Sequence, residues 1–146
     1  MKAQRGFSLI ELLVVMAIIG VVTAIAVPGL RNARFNAQSG SAVQSLRAIT
    51  TAEHLYERRH KKYATLLDLV PDSSLDTTLA SGSKSGYSFT LTLTPDTTGA
   101  ADRAFTCNGD PEESPGQRPF FFVNETAVIR FNDGSPADVS SPPIPR

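Results

Sequence analysis

Cysteine, histidine and net charge are what this sequence has least of. A single cysteine, Cys107, excludes an internal disulfide framework and any cysteine-rich zinc site. Two histidines, His54 and His60, leave few bases or ligands for chemistry. Fourteen Lys and Arg balance fourteen Asp and Glu, which argues against a nucleic-acid protein driven by bulk positive charge. No Ser/His/Asp set, phosphate-binding loop or paired-carboxylate arrangement can be argued, so no catalytic residue, cofactor or metal is assigned and the enzyme class is set aside. At 146 residues the chain has room for one core, not two.

What is present is unevenly placed. Residues 1–30 carry Lys2, Arg5 and Glu11, a net of +1. Residues 31–63 carry Arg31, Arg34, Arg47, Arg58, Arg59, Lys61 and Lys62 against Glu53 and Glu57, a net of +5. Residues 64–146 carry five basic against eleven acidic side chains, a net of −6. Most long aliphatic residues lie before residue 31, and the remainder is rich in Ser, Thr, Gly and Pro.

From Phe7 to Leu30 run 24 residues, mostly Leu, Ile, Val and Ala, with Glu11 the only charge. As a helix they would reach roughly 36 Å, enough for a bilayer core of roughly 30 Å. A plain membrane anchor, a secretory signal cut after Ala24-Ile25-Ala26 and a buried core helix are the simple readings. The last is too long for so small a domain. Glu11 weighs against the other two, because a charge inside a membrane helix costs roughly 2.5–3.5 kcal/mol at its centre and less near the interface. A carboxylate kept there needs a cation. Cutting after Gly6 would make one, the ammonium of Phe7, five residues from Glu11 counting inclusively.

The segment Gly6-Phe7-Ser8-Leu9-Ile10-Glu11-Leu12, behind the basic leader Met1–Arg5 and ahead of an unbroken apolar run, resembles the class III signal of type IV pilins and type II secretion pseudopilins. The resemblance covers about the first 30 residues. It implies that residues 1–6 are a leader removed by a prepilin peptidase between Gly6 and Phe7, with N-methylation of Phe7. It implies a filament subunit whose stem, residues 7–30, packs against copies of itself, with Glu11 setting register against a neighbour's Phe7 ammonium. The implied partners are the peptidase, an inner-membrane platform protein, an assembly ATPase and the chain itself. The implied locations are the inner membrane first, then an extracellular pilus or a periplasmic pseudopilus. Alternatives are a secretion pseudopilin, a minor pilin that primes or tips the fibre, and a non-polymerising membrane-anchored periplasmic binding module. Basic residues flank the apolar run on both sides, so orientation rests on the resemblance.

Gly20 and Pro28 mark where the stem can bend or unwind, since Gly costs about 1 kcal/mol against Ala and Pro about 3 kcal/mol inside a helix. Beyond Pro28, Ala42, Leu46, Ile49, Ala52 and Tyr56 share a helical face, so residues 31–62 read as the amphipathic half of a long helix. Arg47, Thr50, His54, Glu57 and Arg58 are expected on the opposite, solvated side. The run Arg58–Lys62 suits the negative pole of the helix, and a contact to a neighbour's acidic head is a second reading. Short helical turns are expected around residues 63–69 and 72–79, separated by Pro71.

Residues 63–134 read as an α+β head. Tyr87–Thr94 alternates strictly and predicts a half-buried strand, introduced by a loop over residues 81–86 and closed by Pro95. A weaker strand is expected over residues 103–107. Residues 120–123 and 127–131 predict a hairpin joined by residues 124–126. Three to four antiparallel strands would then cover the inner face of the helix. Asp110, Glu112 and Glu113 are placed in one Pro/Gly loop, where calcium is a minor alternative to solvation. Cys107 reads as a small buried residue. The cysteine-closed C-terminal loop of many pilins cannot be carried over to a chain with one cysteine. The tail, residues 135–146, is expected to be irregular or loosely attached.

Overall fold

A computed structural model describes residues 6–73, 75–96 and 102–145. The leader residues 1–5 lie outside the described residues. One long helix, α1 (Leu9–His60), opens the chain, and two short ones follow, α2 (Leu69–Ser73) and α3 (Thr77–Ala80). Five strands come next: β1 (Ser83–Lys84), β2 (Tyr87–Pro95), β3 (Asp102–Pro111), β4 (Pro119–Asn124) and β5 (Arg130–Asp133). They form an antiparallel meander in sequence order, a layout like that of pilins. Internal contacts divide the chain into two units, residues 1–36 and 37–146.

In the second unit the periodic face of α1 does what its spacing demands. Ala42, Leu46, Ile49 and Ala52 are buried against Tyr87, Phe89, Cys107, Phe121 and Val123 of the sheet. Every second residue of β3 from Phe105 to Pro111 is buried, as a strand with one covered face requires. Gly109 stands opposite Phe89, where a Cβ would come within 3.3 Å of the phenyl ring.

Several expectations need correction. The sheet has five strands, because the Ser81–Gly86 loop contains β1 and a two-residue turn. Ser85 and Gly86 both have positive φ (55° and 74°), as a type I′ turn needs, and Lys84 pairs with Tyr87. Pro71 does not separate two helices but lies in the first turn of α2, where a missing N–H is harmless. The third strand is twice its expected length, since Asn108–Pro111 continue the pairing with β2 despite their turn-forming composition. The last strand starts three residues late, because Ala127 takes φ 60° and Val128 is exposed.

The four consecutive buried residues Phe120–Val123 show why no alternation is visible in β4. Phe121 and Val123 join the main core, while Phe120 and Phe122 pack with Ala137 on the opposite face. The tail supplies that cover. It has little regular structure, yet it is fastened. Ile144 N–H donates to the Ile129 carbonyl, Phe131 N–H to the Pro142 carbonyl, and Arg130 Nη1 to the Ser141 carbonyl at 2.8 Å.

Candidate assembly site

The N-terminal unit is built around the residues singled out above. Gly6, Phe7 and Ser8 precede α1 without regular structure and are exposed, so the Gly6–Phe7 bond lies outside the helix. Among the described residues no atom lies within 4 Å of the position a Cβ would take on Gly6. Ser8 sits immediately before Leu9, and its carbonyl accepts the N–H of Leu12 at 3.2 Å. Ser8-Leu9-Ile10-Glu11 therefore has the spacing of a capping box, with Glu11 in the first turn, where the helix dipole favours a carboxylate. That local role for Glu11 is absent from the sequence reading, although the Ser-x-x-Glu signal was there to find.

Beyond Glu11 the helix carries no acid until Glu53. The large apolar side chains of residues 9–30 are bare, from 43% exposed at Val15 to 87% at Leu9, and the membrane-compatible stretch has none of its residues buried. An apolar surface of this extent is a binding face for lipid or protein. The helix is long and apolar enough to cross a membrane.

α1 runs unbroken through Gly20 and Pro28. Thr23 Oγ1 donates to the carbonyls of Ile19 (2.8 Å) and Gly20 (3.0 Å), back-bonds of the kind that accompany helix bending. Pro28 has no N–H to give the carbonyl four residues earlier. Farther along, Arg31 stacks over Phe35 with 5.9 Å to the ring centroid.

In the second unit the acidic trio does not form one loop. Asp110 is on β3, half-buried, its carboxyl pushed up by burial. Glu112 accepts the Ser83 hydroxyl at 2.5 Å, and Glu113 lies 3.8 Å from Arg118 Nη2. Among the described residues no three His, Cys, Asp or Glu side chains are grouped to hold a metal. Cys107 is fully buried, and burial, followed by the charges of Glu53 and Asp110, pushes its thiol up to about 12.

Two placements on the polar face are also corrected. Thr50 is buried, its hydroxyl satisfied by the Leu46 carbonyl at 2.8 Å. His54 is half-buried and packs edge-on against Tyr63 and Phe105, with 6.3 Å between centroids in each case.

Comparison with known proteins bears on the first unit most directly. Residues 1–27 match the family described as the prokaryotic N-terminal methylation motif. The start of this chain therefore carries an N-terminal methylation motif, the class III signal.

The chain is 48% identical over 52 residues to a fimbrial protein of Pseudomonas aeruginosa, covering 36% of this chain and 34% of that one. It is 35% identical over 88 residues to type II secretion system core protein G of Escherichia coli K12, covering 58% and 61%. It is 34% identical over 72 residues to the type IV major pilin protein PilA of Myxococcus xanthus, covering 47% and 33%. The chain thus spans between about a third and three fifths of the length of these relatives. No solved structure matches it.

Proposed function

We propose that the protein is the structural subunit of a type IV pilus-like filament. The observation that carries this reading is a bare apolar helix with one carboxylate in its first turn, immediately behind an accessible Gly6–Phe7 bond. A prepilin peptidase cuts that bond and Phe7 is N-methylated. The precursor and the mature pool stay in the inner membrane, with residues 37–146 on the non-cytoplasmic side. A platform protein and an assembly ATPase then move the stem from lipid into the centre of a fibre, where copies of residues 7–30 cover one another.

At roughly 25 cal/mol per Å² of apolar surface, a stem of this size is too costly to leave in water. In the low dielectric of a fibre core, Glu11 needs a cation, and the Phe7 ammonium of an adjacent copy provides it. Phe7 lies outside the helix and is 75% exposed, so it is free to face another copy. Gly20 and Pro28 give the stem a place to lengthen as it packs.

The test is Glu11→Ala in the full chain. The variant is expected to insert and be cut normally but to yield at least tenfold fewer fibres by shearing and immunoblot. An unchanged fibre yield contradicts the register role.

A second reading, a pseudopilin of a type II secretion system, is favoured by the longer match to core protein G, which covers more of both chains than the fimbrial match. Deleting the gene distinguishes the two. Loss of surface fibres supports the first, and retention of exported proteins in the periplasm supports the second.

A further inference from the structure

Glu53 is a fully buried carboxyl with no part in the function proposed above. It lies on the apolar face of α1, next to Ala52. Its Oε2 accepts the N–H of Ala64 at 3.1 Å, and its Oε1 is buried with no hydrogen-bond partner among the described residues. Ala64 belongs to the short segment, residues 61–65, by which the chain leaves α1. Lys61 there takes φ 60°, and Tyr63 N–H donates to the Asp102 carbonyl at 3.0 Å. Lys61 and Lys62 are exposed, while Tyr63 and Ala64 are buried. Glu53 is thus hydrogen-bonded to a segment of irregular backbone, the kind of element that opens ahead of the rest of a fold.

The titratable groups around it do not neutralise it. From β3, Asp102 and Cys107 interact with it electrostatically, and from the exit segment so does Tyr63. Glu57 on the same helix and Glu125 in the loop after β4 both act on Tyr63. His54, also on α1, packs edge-on against Tyr63 and Phe105.

We propose that Glu53 is a proton-operated latch on the exit segment: protonated, it holds residues 61–65 closed against α1, and ionised, it lets them open to water. An ionised carboxylate in that position would have, among the described residues, one donor and no counter-charge, whereas water satisfies it as soon as the segment lifts. Burial accordingly pushes the Glu53 carboxyl from 4.5 up to about 7, the hydrogen bond from Ala64 opposing and the Asp102 charge adding to the rise. The closed form binds the proton more tightly than the open form. Closure is therefore strongest below about 4.5, weakens as pH rises, and has lost this contribution above about 7. The ceiling of the rise in opening is the ratio of the two proton affinities, roughly 300-fold for a carboxyl moved from 4.5 to about 7. The device belongs to residues 37–146 and does not depend on whether the chain polymerises.

The experiment is limited trypsin digestion of the full chain in detergent micelles between pH 5.5 and 8.5. Cleavage after Lys61 and Lys62 is normalised to an unstructured peptide of the same sequence, and cleavage after Arg130 on β5 reports opening elsewhere. The normalised rate after Lys61 and Lys62 is expected to rise at least tenfold across the range, with Arg130 flat and Glu53→Gln showing no pH dependence. A flat rate in the native chain, an equal slope in Glu53→Gln, or a parallel rise at Arg130 overturns the latch. Should Glu53→Gln not fold, a carbon-13 NMR titration of the Glu53 carboxyl in the native chain decides the matter. A midpoint near neutrality supports the latch, and one in the ordinary carboxylate range overturns it.

Discussion

At Gly86 the backbone has φ +74°, and a Cβ there would lie 3.2 Å from both Arg118 Nη1 and Gln38 Nε2. Its carbonyl accepts the N–H of Glu112 (3.1 Å) and Nη1 of Arg118 (3.0 Å). One residue thus sets the β1–β2 turn and receives two donors from beyond β3. Gly86→Ala keeps those acceptors but forces an L side chain into the left-handed region, at about 1–2 kcal/mol before any crowding. A lowered urea midpoint with an unchanged slope is the expected result, and an unchanged midpoint would show that the turn relaxes freely.

The residue scale is also where the sequence was uneven as a guide. Gly6, Phe7 and Glu11 stand out because each is chemically out of place in, or at the edge of, an apolar run. Glu53 does not, because hydrophobic spacing counts Ala52 and passes over a carboxyl beside it. Thr50 is misread for a related reason: its hydroxyl finds an acceptor within its own helix, and a satisfied polar group can be buried as readily as an alanine.

Among the elements, the extents of α1 and β2 are legible, since each repeats its own period over many residues. The failures cluster where one residue's backbone decides the matter. Ser85 and Gly86 turn an apparent loop into a hairpin, and Ala127 at φ 60° postpones β5. β4 was found from its run of phenylalanines, but its second buried face was not, because the cover comes from the Pro- and Ser-rich tail. That composition signals irregular backbone and says nothing about attachment.

Deleting residues 135–146 tests the attachment. It removes Ala137 from Phe120 and Phe122 and strips the acceptors from Arg130 and Phe131. Uncovering the two phenylalanines alone is expected to cost about 2 kcal/mol or more. The readouts are an earlier urea transition and increased binding of a hydrophobic dye, and an unchanged transition would mean the tail adds nothing.

For the molecule as a whole, the division of contacts at Asn36 and Ala37 matches a division of labour. The second unit buries its apolar residues on itself. Among the described residues the first buries almost none, and its extensive apolar surface is a face for lipid or for protein. The charge balance of zero hides this contrast, which lies in how charge and hydrophobicity are distributed along the chain. In the proposed filament a free amine on Phe7 is the partner of Glu11, so the proposal depends on where the mature chain begins. The most direct measurement is the intact mass of the protein purified from the cell envelope, with fragment ions reading its amino terminus. The expected product begins at Phe7, lacks Met1–Gly6 and carries one added methyl group on its terminal nitrogen. A mature chain beginning at Val27, with the stem removed, would contradict it.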